Sequence, residues 1–181
     1  MSLRTLALSF MVAAFMFTPA FAGDPNAVFK GQIKLSSKRF PLSSKSKDAY
    51  IATVKKQSQA NFQENKENHT WKIYFAAFLK VPLNDVEYMV KFYEVGKGPS
   101  QLLSANEAFN DERGQKTIVS NVVLDKKSFG VNKELMMTIE SKGTVLASGR
   151  FKILGEGEKF SGKVNFSEDE ADGKEKEEDK D

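Results

Sequence analysis

The sequence has no cysteine and a single histidine, and both scarcities narrow the chemistry that it can support. Without cysteine the chain cannot form disulfides, thiolate metal sites, a cysteine nucleophile or a lipid-bearing cysteine. A multi-histidine zinc site is also excluded, because His69 is alone and zinc in proteins is held mainly by cysteine and histidine. The sequence therefore predicts neither a metal nor a cofactor.

Catalytic motifs are equally scarce. His69 lies in a polar segment, and no G-x-S-x-G sequence accompanies it, so we expect a solvent-exposed loop histidine. A pair of carboxylates could still serve an enzyme that cleaves polysaccharide. The candidates within predicted strands are Glu87, Glu134 and Glu140, each at a position where an outward polar residue is expected. We therefore predict no catalytic residue and keep this enzyme as an alternative.

Residues 1–22 have the pattern of a secretory signal peptide. Arg4 supplies the positive charge, residues 6–17 are apolar, and Ala20-Phe21-Ala22 fits a cleavage site. A helix over the apolar stretch would be about 18 Å long, shorter than the ~30 Å core of a bilayer. The sequence thus predicts export with cleavage after Ala22 and no transmembrane segment in the mature chain. The lack of cysteine favours a bacterial periplasmic or secreted protein.

Charge is distributed unevenly along the chain. Residues 168–181 contain nine acidic residues against three lysines, a net of −6. Residues 23–167 contain 23 basic and 15 acidic residues, a net of +8. The C-terminal segment also lacks large apolar side chains, which predicts a disordered acidic tail. We accordingly divide the chain into a signal peptide (1–22), one β-sandwich domain (23–167) and the tail (168–181).

Most of the excess positive charge lies between Lys30 and Lys56, where Asp48 is the one acidic residue. Clustered cations can bind a polyanion by releasing its counterions, with little sequence selectivity. For an exported protein the partner would be an anionic envelope polysaccharide, lipopolysaccharide or an acidic protein surface, with no specific nucleic acid. The alternative is that these lysines only keep the surface soluble. The predicted binding residues are Lys38, Arg39, Lys45, Lys47, Lys55 and Lys56.

Residues 71–95 carry the clearest β-strand pattern. Residues 86–93 alternate between apolar and polar-facing positions with a period of two, as in a half-buried strand. Residues 73–79 are a continuous apolar run, which needs cover on both faces from a second sheet or a helix. Turn formers Pro82, Asn84 and Asp85 separate the two runs. We therefore expect an antiparallel hairpin at the centre of the domain.

The rest of the pattern predicts an all-β fold, a two-layer antiparallel sandwich with about eight strands and one short helix. The helix is expected at residues 47–59 with Ser46 as its N-cap, and polar loops at 61–69 and 106–114. A second hairpin is expected around Ser141-Lys142-Gly143. The other predicted strands cover residues 29–35, 101–104, 117–124, 134–140, 144–154 and 160–166.

These observations predict an exported, non-catalytic β-sandwich binding module that contacts an anionic partner through its basic N-terminal segment. One alternative is an assembly subunit of a cell-envelope complex that pairs through an exposed sheet edge at residues 101–104. The other is the polysaccharide-acting enzyme with a carboxylate pair.

Overall fold

The computed structural model describes residues 23–96 and 98–155. The predicted signal peptide, the strand at 160–166 and the acidic tail lie outside these residues. Within them are helices α1 (Pro25–Val28), α2 (Lys47–Gln57) and α3 (Lys126–Phe129). The strands are β1 (Ile33–Ser36), β2 (Asn61–Gln63), β3 (Thr70–Leu83), β4 (Glu87–Glu94), β5 (Gln101–Phe109), β6 (Gln115–Asp125), β7 (Lys133–Ser141) and β8 (Thr144–Leu154).

The strands form two sheets, which confirms an all-β fold. One sheet has three strands in the order β1-β3-β6, and the other has five in the order β2-β8-β7-β4-β5. Every pair of neighbouring strands is antiparallel except β2 and β8, which are parallel. The prediction of purely antiparallel sheets is therefore wrong at β2. This strand lies in the polar segment 61–69, for which the sequence predicted only loop.

The predicted central hairpin is wrong, although both of its strands exist. β3 pairs with β1 and β6, whereas β4 pairs with β5 and β7, so the turn after Leu83 carries the chain from one sheet to the other. Alternation gives the face that a strand buries but does not identify its neighbour. The continuous apolar run of β3 fits the centre of the three-stranded sheet, where both faces are covered.

Side chains from both sheets share one hydrophobic core. Ile73 and Phe75 of β3 belong to the same buried cluster as Leu135, Met137 and Ile139 of β7. The indole of Trp71 is also buried, and its Nε1 donates a hydrogen bond to the Leu154 carbonyl oxygen at 3.0 Å. This bond links the three-stranded sheet to the end of β8.

The opposite face of β3 is covered by the N-terminal helices. Ala76 and Phe78 are fully buried in a second cluster with Ile51 and Val54 of α2. Phe29, predicted as part of the first strand, instead caps α1, and its ring centroid lies 4.8 Å from that of Phe78. The two-sided cover predicted for residues 73–79 is thereby confirmed.

The turn between β7 and β8 was predicted from local sequence, whereas the end of β5 was not. The β7–β8 hairpin is confirmed, and Lys142 and Gly143 both have positive φ, as a two-residue turn of type I′ requires. In contrast, residues 106–109 were predicted as loop but continue β5 as far as Phe109. This part of β5 consists largely of small and polar residues, because much of the strand is exposed at the end of its sheet. It therefore lacks the apolar alternation from which a strand is predicted.

Among the described residues, the backbones of the two sheets are bridged on one side of the domain, next to β1 and β8. Gln32 forms an isolated parallel bridge with Ser148 of β8, and the Ser148 amide donates to the Gly31 carbonyl oxygen at 3.0 Å. A Cβ on Gly149 would lie 2.6 Å from the Ile33 carbonyl oxygen, so glycine permits this close approach. On the other side, β5 and β6 each end their sheet, and their described residues do not pair.

Candidate functional site

Helix α2 fixes the position of the basic segment. It spans Lys47–Gln57, and its N-cap Ser46 accepts a hydrogen bond through Oγ from the Ala49 amide at 3.1 Å, as predicted. Ile51 and Val54 are buried against β3, so the helix is held on the outer face of the three-stranded sheet. The polar side of the helix is therefore presented away from the sheet.

The six predicted binding residues are all exposed, and the structure divides them between the ends of α2. Lys45 and Lys47 lie at its start. Lys55 and Lys56 lie in its last turn. Lys38 and Arg39 belong to the segment that follows β1, and this segment is joined to the chain just after α2 because the Gln59 amide donates to the Leu35 carbonyl oxygen at 2.8 Å and Ser37 Oγ donates to Gln59 Oε1 at 3.3 Å. The two groups are separated by a helix about 15 Å long.

None of these six cations forms an ion pair with a carboxylate among the described residues. Lysines on the sheets and α3 behave differently, because several are paired with carboxylates of neighbouring strands or loops. These pairs are Lys91–Glu140, Lys126–Glu64, Lys133–Glu94 and Lys142–Asp85. The charges near α2 are thus available to an external anion, while those on the sheets are partly neutralised within the fold.

Glu64 forms a buried polar cluster that the sequence did not predict. Its side chain has no solvent exposure, and Oε1 lies 2.6 Å from His69 Nδ1. Lys126 Nζ lies 3.2 Å from both carboxylate oxygens. The His69 side chain is 59% exposed, which agrees with the predicted loop position, but its contact with a buried carboxylate was not expected. The cluster joins the segment before β3 to α3.

Glu140 differs from the solvated surface residue that was predicted. It is buried on the outer face of the five-stranded sheet, and it accepts hydrogen bonds from Lys91 Nζ at 2.6 Å, Thr138 Oγ1 at 2.9 Å and Tyr93 O–H at 3.3 Å. Burial alone would raise the pKa of Glu140, but these three donors outweigh it and lower the pKa below its usual value. The hydrogen bond between Lys91 and Glu140 also raises the pKa of Lys91.

The other two carboxylate candidates do not join Glu140 in a buried site. Glu87 is exposed at the start of β4, and Glu134 is half-buried near the start of β7. Glu134 and Glu140 lie six residues apart on one strand, roughly 20 Å. A glycosidase acid also needs a raised pKa, whereas the pKa of Glu140 is lowered.

A cleft opens between the sheets on the side where β5 and β6 do not pair. We call it the interior cleft; its volume is about 450 Å³. Its polar lining includes Tyr88, Ser104, Asn106 and Ser120. None of these four residues was predicted to belong to a site; Ser120 lies in the predicted strand 117–124, and its partner on β3 is Phe75. The apolar walls include Phe75, Val90, Phe92, Leu103, Leu124 and Phe129.

No cluster of three or more potential metal ligands occurs within residues 23–96 and 98–155. No helix in this part of the chain is long and apolar enough to cross a membrane.

Comparison of the chain with models of protein families gave no match, and neither did comparison with curated proteins.

Proposed function

We propose that the protein is an exported, non-catalytic β-sandwich module that binds an anionic polymer of the cell envelope through the six cations around α2. The observation that carries this proposal is that all six side chains are exposed and lack ion pairs with described residues, whereas Lys91, Lys126, Lys133 and Lys142 are paired with carboxylates. Because Ile51 and Val54 anchor the helix, binding would not require the backbone of α2 to become ordered. This lowers the entropic cost of association.

The mode of binding has a clear electrostatic signature. Contacts between exposed cations and a polyanion are screened by salt, and their affinity falls steeply as ionic strength rises. The two groups of cations at the ends of α2 would engage charges about 15 Å apart along an extended polymer. An extended chain of repeating negative charge fits this spacing better than a small anion does.

The test compares binding of dextran sulfate with binding of neutral dextran, which has the same backbone without the charge. The test variant replaces Lys38, Arg39, Lys45, Lys47, Lys55 and Lys56 with glutamine. The control variant makes the same change in net charge at six exposed cations on other elements: Lys30, Lys72, Lys80, Arg113, Lys116 and Lys127.

We expect the wild-type protein to bind dextran sulfate with strong salt dependence and not to bind neutral dextran. The test variant should lose roughly tenfold or more in affinity, and the control variant clearly less, because each exposed contact contributes a small amount. Equal losses in both variants would show that only net charge matters and would contradict the proposed surface.

A second candidate function is assembly through a sheet edge, and one observation favours it. β5 ends the five-stranded sheet over nine residues, and the exposed fractions of Leu102 and Phe109 are 50% and 68%. Unpaired strand edges can add a strand from another chain. Light scattering at increasing concentration tests this: assembly through β5 predicts oligomers that disappear in a Leu102→Lys, Phe109→Lys variant.

A further inference from the structure

The interior cleft results from an unequal distribution of side-chain size on the inner faces of the sheets. β4 presents Tyr88, Val90 and Phe92 inward, but their partners on β5 are Ala108, Asn106 and Ser104. Across the cleft, the partner of Phe75 on β6 is Ser120. Large side chains at these positions would fill the space between the sheets. Small and polar ones leave it open.

The cleft is an elongated slot lined by both apolar and polar side chains, with Asn121, Asp125 and Ser128 among the polar ones. It follows β5 from Ala108 to Ser104, a length of roughly 13 Å, and packed sheets are about 10 Å apart. Its volume of about 450 Å³ lies within the range of small-molecule sites, roughly 300–1,000 Å³. An unbranched hydrocarbon chain fits such a slot better than a compact polycyclic molecule does.

One end of the slot opens into a polar pocket of about 680 Å³, and Tyr88 and Ser120 line both spaces. Tyr88 is 5% exposed; no described residue forms a hydrogen bond with its hydroxyl, and this atom is not one of the fully buried atoms that lack a partner, so the pocket leaves it accessible to water or a ligand. Burial also raises the pKa of this hydroxyl, so it remains a proton donor at neutral pH.

A second donor without a partner lines the polar pocket. The Nδ2 atom of Asn110 is buried and has no hydrogen-bond partner among the described residues. Lys47 adds a positive charge to the lining, and Asp111 supplies one carboxylate. Two unpartnered N–H or O–H donors together with a cation favour an acceptor that carries negative charge.

We infer that the interior cleft binds a long-chain monocarboxylic acid, with the hydrocarbon chain between the sheets and the carboxylate facing Tyr88 and Asn110 in the polar pocket. Hydrocarbon burial would contribute most of the affinity. The two donors would fix the direction of the chain and satisfy their own hydrogen bonds. This ligand differs from the anionic polymer, although Lys47 belongs to the polymer-binding residues and also lines the polar pocket.

The experiment measures binding of laurate and of dodecanol, which share a chain but differ in the charge of the head group, by titration calorimetry below micelle formation. Ser120→Leu places a larger side chain in the slot, and Asn110→Asp replaces the Nδ2 donor by an oxygen. Thr144→Leu, an exposed strand position outside the cleft, is the control. Thermal unfolding checks that each variant folds.

The wild-type protein should bind one laurate, and dodecanol more weakly. Ser120→Leu should lower the affinity for both ligands by roughly tenfold or more. Asn110→Asp should lower the affinity for laurate by a similar factor and leave the affinity for dodecanol unchanged. Absence of laurate binding, or equal binding by wild type and Ser120→Leu, would overturn the site. If Asn110→Asp lowered the affinity for both ligands equally, the proposed position of the carboxylate next to Asn110 would be wrong. Dextran sulfate binding should persist in both variants, so the two proposals fail independently.

Discussion

Glu64 shows how a single buried carboxylate can hold two segments together. Its side chain is completely buried, but Lys126 and His69 are 46% and 59% exposed and can be hydrated if the carboxylate is removed. We therefore expect Glu64→Ala to lower the free energy of unfolding by about 1–3 kcal/mol, mainly through lost charge-assisted hydrogen bonds. Urea denaturation measures this change.

The matched control for Glu64 is Glu67→Ala, three residues further along the same loop. Glu67 is exposed, so its removal should alter the free energy of unfolding by no more than about 0.5 kcal/mol. Equal effects of the two substitutions would show that the Glu64 cluster does not stabilise the fold.

Glu140 should make stability depend on pH in the acidic range. Its pKa is lower in the folded protein than the usual value of 4.5, so the unfolded chain binds a proton at higher pH than the folded chain does. The stabilising contribution is therefore complete above the unfolded pKa and is lost as the pH falls through the lower, folded pKa. Denaturation from neutral to acidic pH should show a smaller loss of stability in Glu140→Gln than in the wild type. Parallel curves would contradict this assignment.

At the element scale, Gly149 allows β1 to approach β8. A methyl group at this position would lie 2.6 Å from the Ile33 carbonyl oxygen, which is backbone and cannot move aside like a flexible side chain. We expect Gly149→Ala to lower the free energy of unfolding by about 1–3 kcal/mol. Gly96→Ala is the control, since nothing lies within 4 Å of its Cβ position. Denaturation of both variants measures the difference, and an unaltered Gly149→Ala protein would contradict the close contact.

Strand identity could be predicted from sequence more readily than strand pairing. The alternation of residues 86–93 and the Lys142-Gly143 turn are local signals, and the strands and the hairpin that they predict are present. β3 and β4 belong to different sheets because each pairs with strands that are distant in the sequence. A local sequence pattern does not indicate such distant partners. The last residues of β5 escaped prediction because Glu107 and its neighbours are polar at an exposed edge.

At the scale of the whole molecule, the two charge regions should interact. Residues 23–167 carry a net charge of +8 and residues 168–181 a net charge of −6. If the acidic residues screen the body, a chain that ends at Ser167 should elute from an anionic resin at higher salt than the full chain, and the difference should shrink as salt screens both. If both chains eluted at the same salt concentration, the acidic residues would not screen the positive charge of residues 23–167.

The two candidate sites differ in how far sequence could predict them. The six cations near α2 are visible as a run of basic residues with one opposing acid, and their exposure follows from their charge. The interior cleft could not be predicted, because Tyr88 and Ser120 belong to different sheets and meet only after the chain has crossed between them. Inward serine on a strand is a weak signal until its neighbours across the core are known.

The two sheets approach each other at β1 and β8, and their described residues do not pair at β5 and β6. Because the chain has no cysteine, paired substitutions can test this by disulfide trapping. Gln32→Cys with Ser148→Cys joins bridge partners, whose Cα atoms are expected within the ~4.4–6.8 Å that a disulfide requires. Ser104→Cys with Ser120→Cys spans the open cleft. We predict rapid cross-linking of the first pair and little of the second; efficient cross-linking of the second pair, or failure of the first, would contradict the account.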